Sequence, residues 1–258
     1  MSWAAKRQFK YALGVFSFFG LIVFLFAYPY IFKDPTCQDN KQNGNETGVD
    51  CGGNCSLMCK EEMLAPVVLW SRPFHIIENN YNLVAYIENR NKDGAVAKAS
   101  YEFKIYDINN KLLGRRVGQT FIPPNQQFAV FESRFDKGQG EIKTVTFEFL
   151  DPIIWVKKDP NLQTLPIRVH NIVFKDDKDT PNLSAIISND SVYDLPEFDV
   201  IAILYDKDRN AINASKTQKD KLLSNTSLPV FFTWPETLSD VPVMEDILLS
   251  INPFSVSF

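Results

Sequence analysis

An all-β protein of two tandem immunoglobulin-like β-sandwiches, preceded by a transmembrane α-helix and a small disulfide-stapled loop module, is the fold class that three features predict. The first is an uninterrupted apolar run at residues 11–32. The second is a cluster of all four cysteines, Cys37, Cys51, Cys55 and Cys59, soon after it. The third is a set of short strand-like segments that occurs twice, the second set being displaced from Asn82 to Asn182.

The run from Tyr11 to Phe32 holds no charged side chain; Lys6, Arg7 and Lys10 precede it and Lys33 follows it. About 20 apolar residues in helical form cross the hydrocarbon core of a bilayer. A cleavable signal peptide has an apolar core of about 7–15 residues followed by small residues at the cut site. Here Phe24-Leu25-Phe26-Ala27-Tyr28-Pro29-Tyr30 offers no small-x-small pair. A buried helix of a soluble protein would carry a polar face, whereas Ser17 is the one polar exception in the run. Tyr11, Tyr28 and Tyr30 near the ends suit the membrane–water interface. The excess of basic residues before the run puts the N-terminus in the cytoplasm. Residues 1–10 are then a cytoplasmic tail, 11–32 a signal anchor in the cell membrane, and everything after Lys33 extracytoplasmic.

The formal net charge is −4. Beyond the tail, Arg115-Arg116 and Lys157-Lys158 are the only basic clusters, which excludes a nucleic-acid partner that needs concentrated phosphate-neutralising charge. The chain left after the anchor suits two domains of about 100 residues each.

Residues 33–62 form the predicted Cys-rich juxtamembrane module. Four cysteines confined to one extracytoplasmic segment too short to bury a core imply two disulfides, in any of three connectivities. A four-cysteine zinc site is the rival, but its ligands come as two close pairs and Cys37 stands apart from Cys51. Gly44, Gly48, Gly52 and Gly53 allow positive φ, so tight turns are expected. Asp39, Asn43, Glu46 and Asp50 are candidate calcium ligands. With Asp39 as position 1, Gly44 falls at the turn position of an EF-hand loop and Asp50 at its end, but Lys41 stands where a ligand belongs. The competing expectation is that these Asx and Gly residues simply make turns.

This segment resembles a short motif of predicted bacterial surface and secreted proteins, Cys-x-Asp-Gly-x-x-Asn-Gly-x-Glu-Thr-x-x-Asp-Cys-Gly-Gly-x-Cys. Cys37, Asp39, Asn43, Gly44, Glu46, Thr47, Asp50, Cys51, Gly52, Gly53 and Cys55 match it, with Asn40 in place of the first Gly. The resemblance implies an extracytoplasmic setting and no activity.

From Pro66 onward apolar and polar residues alternate. Leu83/Ala85/Ile87, Tyr101/Phe103/Ile105, Phe128/Val130 and Val145/Phe147/Phe149 are period-two sets that read as half-buried strands. The order then returns. Asn82-Leu83-Val84-Ala85-Tyr86-Ile87-Glu88-Asn89 aligns with Asn182-Leu183-Ser184-Ala185-Ile186-Ile187-Ser188-Asn189, Ile105-Tyr106-Asp107 with Leu204-Tyr205-Asp206, Val130-Phe131 with Val230-Phe231, and Phe147-x-Phe149 with Leu249-x-Ile251. Two copies of one domain are predicted, 63–158 and 159–258, joined by a polar linker within 159–166. Short strands separated by turns indicate sandwiches of about seven strands each. Trp70, Trp155 and Trp234 are expected as core or edge plugs. Phe103 and Ile105 should be buried, Tyr106 and Tyr205 should face the opposite side, and Asp107 and Asp206 should start turns by accepting backbone N–H bonds.

Phe103-Lys104-Ile105-Tyr106-Asp107 resembles the FxLYD-type domain, a bacterial immunoglobulin-like sandwich, with Ile105 replacing Leu. The second copy keeps Leu204-Tyr205-Asp206 but has Ala202 for Phe. The resemblance implies architecture and a cell-envelope location, and brings no shared catalysis.

No phosphate loop, nucleophile elbow or zinc-helix signature is present. His75 and His170 are the only histidines, each in an expected strand without a catalytic partner in sequence. The expectation is therefore a non-enzymatic, membrane-anchored structural or protein-interaction protein of the bacterial cell envelope, without a cofactor unless calcium, and with a membrane and an envelope or surface protein as partners. The alternatives are a polysaccharide or small-ligand binding module, or an accessory subunit in cell-wall metabolism.

Overall fold

The computed structural model describes all residues except 1–2, 32–33, 139, 151, 159–164, 177–179, 239 and 257–258. Most of the expected linker, Phe32 at the far end of the apolar run, and Lys33 after it lie outside the described residues. The chain divides into two compact units, Met1–Asn54 and Cys55–Phe258.

In the first unit, helix α1 runs from Trp3 to Ile31. Its stretch Arg7–Tyr28 is long and apolar enough to cross a membrane, spanning about 33 Å at the α-helical rise. Phe16, Phe19 and Phe26 are exposed, as expected of a helix whose apolar surface is suited to lipid. The rest of the unit is turns. Gly44, Gly52 and Gly53 take positive φ, whereas Gly48 makes an isolated bridge to Cys51. At Gly53 a side chain is excluded outright, because a Cβ there would lie 1.7 Å from the Asn45 carbonyl oxygen.

The second unit is built of antiparallel strands. The first half contains β1 (Val67–Ile77), β2 (Asn80–Asn89), β3 (Gly94–Asp107), β4 (Leu112–Ile122), β5 (Gln126–Asp136), β6 (Ile142–Leu150) and the short β7 (Val156–Lys157). The second half contains β8 (Ile167–Lys175), β9 (Asn182–Asn189), β10 (Phe198–Tyr205), β11 (Ala211–Lys219), β12 (Thr226–Thr233) and β13 (Met244–Ser250). Sheets β1-β2-β5 and β4-β3-β6 face each other in the first half, and β8-β9-β12 and β11-β10-β13 do so in the second, the same order both times. The first sandwich thus has seven strands, and the second six among the described residues.

Each sandwich closes over its own core. Leu83, Ala85, Ile87, Phe103, Ile105, Val130 and Phe147 pack in the first, with Trp155 beside them. Leu183, Ala185, Ile187, Val200, Ala202, Leu204, Val230 and Phe232 pack in the second, with Trp234. Trp155 and Trp234 are core plugs, whereas Trp70 is half-buried on an outer face.

The repeat also recurs in polar detail. Asn89 is buried; its amide donates to the carbonyls of Gly94 and Pro123, and its oxygen accepts the N–H of Asn91. Asn189 donates to the carbonyls of Tyr193, Leu222 and Leu223 and accepts the N–H of Ser191. Each Asn thereby ties backbone groups of adjoining segments together through one buried side chain. At the opposite end, Asp107 Oδ1 accepts the N–H groups of Asn109 and Lys111, and Asp206 Oδ1 those of Asp208 and Asn210, all at 2.8 Å. Both are the turns anticipated from the sequence.

Two expectations need correction. In the ladders, Phe103 faces Phe147 while Ala202 faces Ile247, and Tyr101 faces Phe149 while Val200 faces Leu249. Phe147 therefore corresponds to Ile247, two residues from the Leu249 expected. Residues on one strand face differ by two, so a two-residue slip keeps the apolar pattern and escapes detection. Secondly, the strand unit begins at Cys55, earlier than the boundary expected at 62/63. Leu57 bridges Val156, Met58 N–H donates to the Trp155 carbonyl at 3.0 Å, and Leu64 exchanges hydrogen bonds with the Asn91 side chain. Cys55 and Cys59 are buried, and Met58 and Met63 pack against the first core.

Candidate functional site

The four cysteines are all disulfide-bonded. No thiolate is left for the zinc site considered from the sequence, since only the deprotonated thiol binds the metal.

The candidate calcium ligands occupy the turn-rich loop of the first unit. Asp50 accepts the N–H groups of Asp39 at 2.9 Å and of Asn40 at 3.0 Å. Asp39 Oδ1 accepts the N–H of Lys41 and its Oδ2 the amide of Asn43; Glu46 accepts the Asn43 N–H. The Asn43 bond and the backbone N–H groups hold the Asp39 carboxyl below its ordinary range. Among the described residues, Asp39, Glu46 and Asp50 do not bring their oxygens together within 4.8 Å. The geometry supports carboxylates that cap their own turns.

The histidines lie on strands, as expected. His170 Nε2 bonds Ser188 Oγ at 2.8 Å, and Ser188 continues to Ser227 at 2.7 Å. His75 Nε2 lies 2.9 Å from the Glu78 carbonyl and its Nδ1 3.2 Å from Glu236, across the two sandwiches.

That crossing belongs to a feature not anticipated from the sequence. The outer face of β1-β2-β5 packs on the outer face of β11-β10-β13 and makes a third apolar core of Phe74, Val84, Ala129, Ile201, Ile203, Tyr205, Ala211 and Ala214. Trp70, Tyr86, Phe131 and Leu248 close its margin, with Trp70 and Tyr86 stacked at 5.5 Å. Polar groups hold the rim: Arg72 donates to the Ala211 carbonyl at 3.0 Å and Asn82 to that of Ala214 at 3.2 Å. Tyr86 Oη reaches Asp246 Oδ2 at 3.2 Å. Burial pushes the Asp246 carboxyl above its usual range, partly opposed by the Tyr86 hydrogen bond. Burial also pushes Tyr205 up to about 12. A readable signal existed: Leu83-Val84-Ala85 and Val200 to Tyr205 are apolar on consecutive positions, the mark of strands covered on both faces.

No protein-family model and no curated protein matches the chain. Among solved structures it is similar to a red sea bream transglutaminase at 9% identity and TM-score 0.21, covering 72% of this chain and 31% of that one. It is also similar to a beta-glucuronidase from glycoside hydrolase family 2 at 12% identity and TM-score 0.23, covering 87% of this chain and 28% of that one. The chain spans less than a third of either neighbour, and likeness at this level carries no argument about activity.

Proposed function

We propose that this chain is a single-pass, membrane-anchored structural and protein-interaction protein of the bacterial cell envelope, with its N-terminus cytoplasmic and its sandwiches, of the immunoglobulin-like FxLYD type, outside. The observation that supports this reading best is the third core. Two sandwiches locked by Phe74, Val84, Ile201 and Ile203 form one preorganised body, and preorganised surfaces bind partners at a lower entropic cost. The spanning-length helix supplies the tether, and the disulfide-rich loop fits an oxidising compartment.

Cross-linking in intact cells followed by mass spectrometry tests it. A reproducible envelope-protein neighbour is expected. A chain that cross-links to no protein, or whose engineered surface cysteines on β8-β9-β12 are labelled only after the cytoplasmic side is opened, overturns the reading.

A further inference from the structure

Each sandwich has a cleft at one edge, between the start of its first strand and the end of its last long one. In the first sandwich Pro66 and Val68 line one side, Phe149 and Ile153 the other, and Phe147 and Trp155 of the core complete the wall around about 440 Å³. Val68 pairs with Ile87 as Val169 pairs with Ile187, so Ile167 is the counterpart of Pro66. By the same reading of the other sheet, Leu249 is the counterpart of Phe149. Ile167 and Leu249 do line a cleft in the second sandwich, and Pro123 and Pro124 of the first sandwich share its wall, leaving about 200 Å³. Both prolines are buried although they stand in the β4–β5 loop. The first cleft has no residue of the second sandwich in its wall among the described residues, and Val68 is 37% exposed. One copy of the cleft is faced by a Pro-Pro loop and the other is open.

We infer that the open cleft of the first sandwich is a docking site for a proline-bearing segment of a partner protein, seated as Pro123 and Pro124 are seated at its counterpart. The established contact between the sandwiches is the precedent, since one sequence pattern has built both clefts and one of them already takes two prolines. The chemistry of the wall agrees. Phe147, Phe149 and Trp155 line the cleft, and aromatic-lined grooves take proline-rich segments, which are extended before they bind and lose little entropy. Its charged residues, Lys60 and Glu148, are both exposed, and the rest of the wall is apolar. An ordinary residue entering such a wall strands its backbone N–H, whereas proline has no N–H to strand. β1 and β6 are each the last strand of their sheet, so the cleft lies along an edge of the sandwich that no further strand pairs. This site deepens the protein-interaction role proposed above, on which it rests, and is independent of the anchor and the compartment.

The test titrates the full chain, held in phosphatidylcholine nanodiscs, into a fluorescein-labelled peptide that copies Gln119–Phe128, the chain's own Pro-Pro loop, and reads anisotropy. Saturable binding is expected. The same peptide with Ser in place of both prolines should bind at least about tenfold more weakly, because two N–H groups then enter the cleft without acceptors. Val68→Asp, which sets a charge in the cleft wall, should weaken binding by at least about tenfold. Val117→Asp, at an exposed position on the opposite edge strand β4, should leave it unchanged. Absence of saturable binding overturns the inference, as do equal binding of the Ser-Ser peptide, unchanged binding by Val68→Asp, or an equal loss in Val117→Asp. If Val68→Asp does not fold, Ala65→Asp, at an exposed cleft residue outside the strands, takes its place with the same expected loss. The titration is done outside the cell, so its failure leaves the cross-linking result standing, and a failure of cross-linking leaves the peptide affinity standing.

Discussion

The outer face of β1-β2-β5 and its counterpart on β8-β9-β12 hold the same place in the two copies, yet one is buried and the other is open. Strand register makes the comparison residue by residue. Trp70 pairs with Tyr86 as His170 pairs with Ile186, and Phe74 with Asn82 as Lys175 with Asn182. Val84 pairs with Phe131 as Ser184 with Phe231. The first face carries Trp70, Phe74 and Val84 where the second has His170, Lys175 and Ser184. Phe231 alone keeps its aromatic ring, and it is 62% exposed. The other pair of faces inverts the pattern. Ile201, Ile203 and Leu248 are apolar in the joint, and their counterparts Glu102, Lys104 and Glu148 form an ion-paired surface. One fold with one core has been given opposite outer faces at each end. The remaining faces of the two sandwiches are polar, as on the capping units of repeat proteins.

The sharpest way to break this comparison is to give the joint the residue of its open counterpart. Ile203→Lys, which copies Lys104 of the first sandwich, buries an unpaired charge at a fully enclosed position and is expected to cost about 3 kcal/mol or more. Urea unfolding should show the loss, and limited proteolysis should cleave between the sandwiches. Next come the features that the copies share. Asn89→Ala and Asn189→Ala each remove a buried amide that ties loop carbonyls together, so both should lose about 2 kcal/mol. Unequal losses in denaturant titrations would mean that the clamps are not equivalent.

Phe131→Ser and Phe231→Ser test the faces directly. The first removes a ring from the margin of the joint and is expected to cost about 2 kcal/mol; the second should stay within about 0.5 kcal/mol. Equal costs would show that the exposed face is covered in solution. The smallest effect is electrostatic. Asp246 occupies the place of Thr146, and its carboxyl is held above 3.8 by burial. The folded state therefore binds this proton more tightly than the unfolded state, so acidification through the window just above pH 3.8 strengthens the docked form and alkalinisation weakens it. Asp39, Asp194 and Asp206 are lowered instead, each by hydrogen bonds that stabilise the carboxylate; their contribution is present above pH 3.8 and lost as pH falls below it. In Tm measured against pH, Asp246→Asn should keep the acid loss and lack the gain that precedes it.

Much of this was legible in the sequence because it is written in short-range pattern. The charge-free run before Phe32, the alternation at Leu83/Ala85/Ile87 and the Asp107 and Asp206 turns each follow from rules that act within a few residues. The cysteine cluster announced disulfides in the same way. The Phe147 register was misplaced because period-two alternation is blind to a slip of two. The candidate calcium residues showed composition without direction, and only the folded loop turns Asp50 toward the Asp39 and Asn40 N–H groups.

By itself, then, the sequence determined the apolar helix, the strand pattern and the twofold repeat, since backbone geometry and hydrophobic periodicity are local properties. The tertiary structure alone decided which outer face meets which. That choice depends on residues more than 100 positions apart, such as Arg72 with Ala211 and Tyr86 with Asp246, whose contact no local rule encodes. The cleft faced by Pro123 and Pro124 arises from the same docking, because its walls come from both sandwiches and exist only once the two have met.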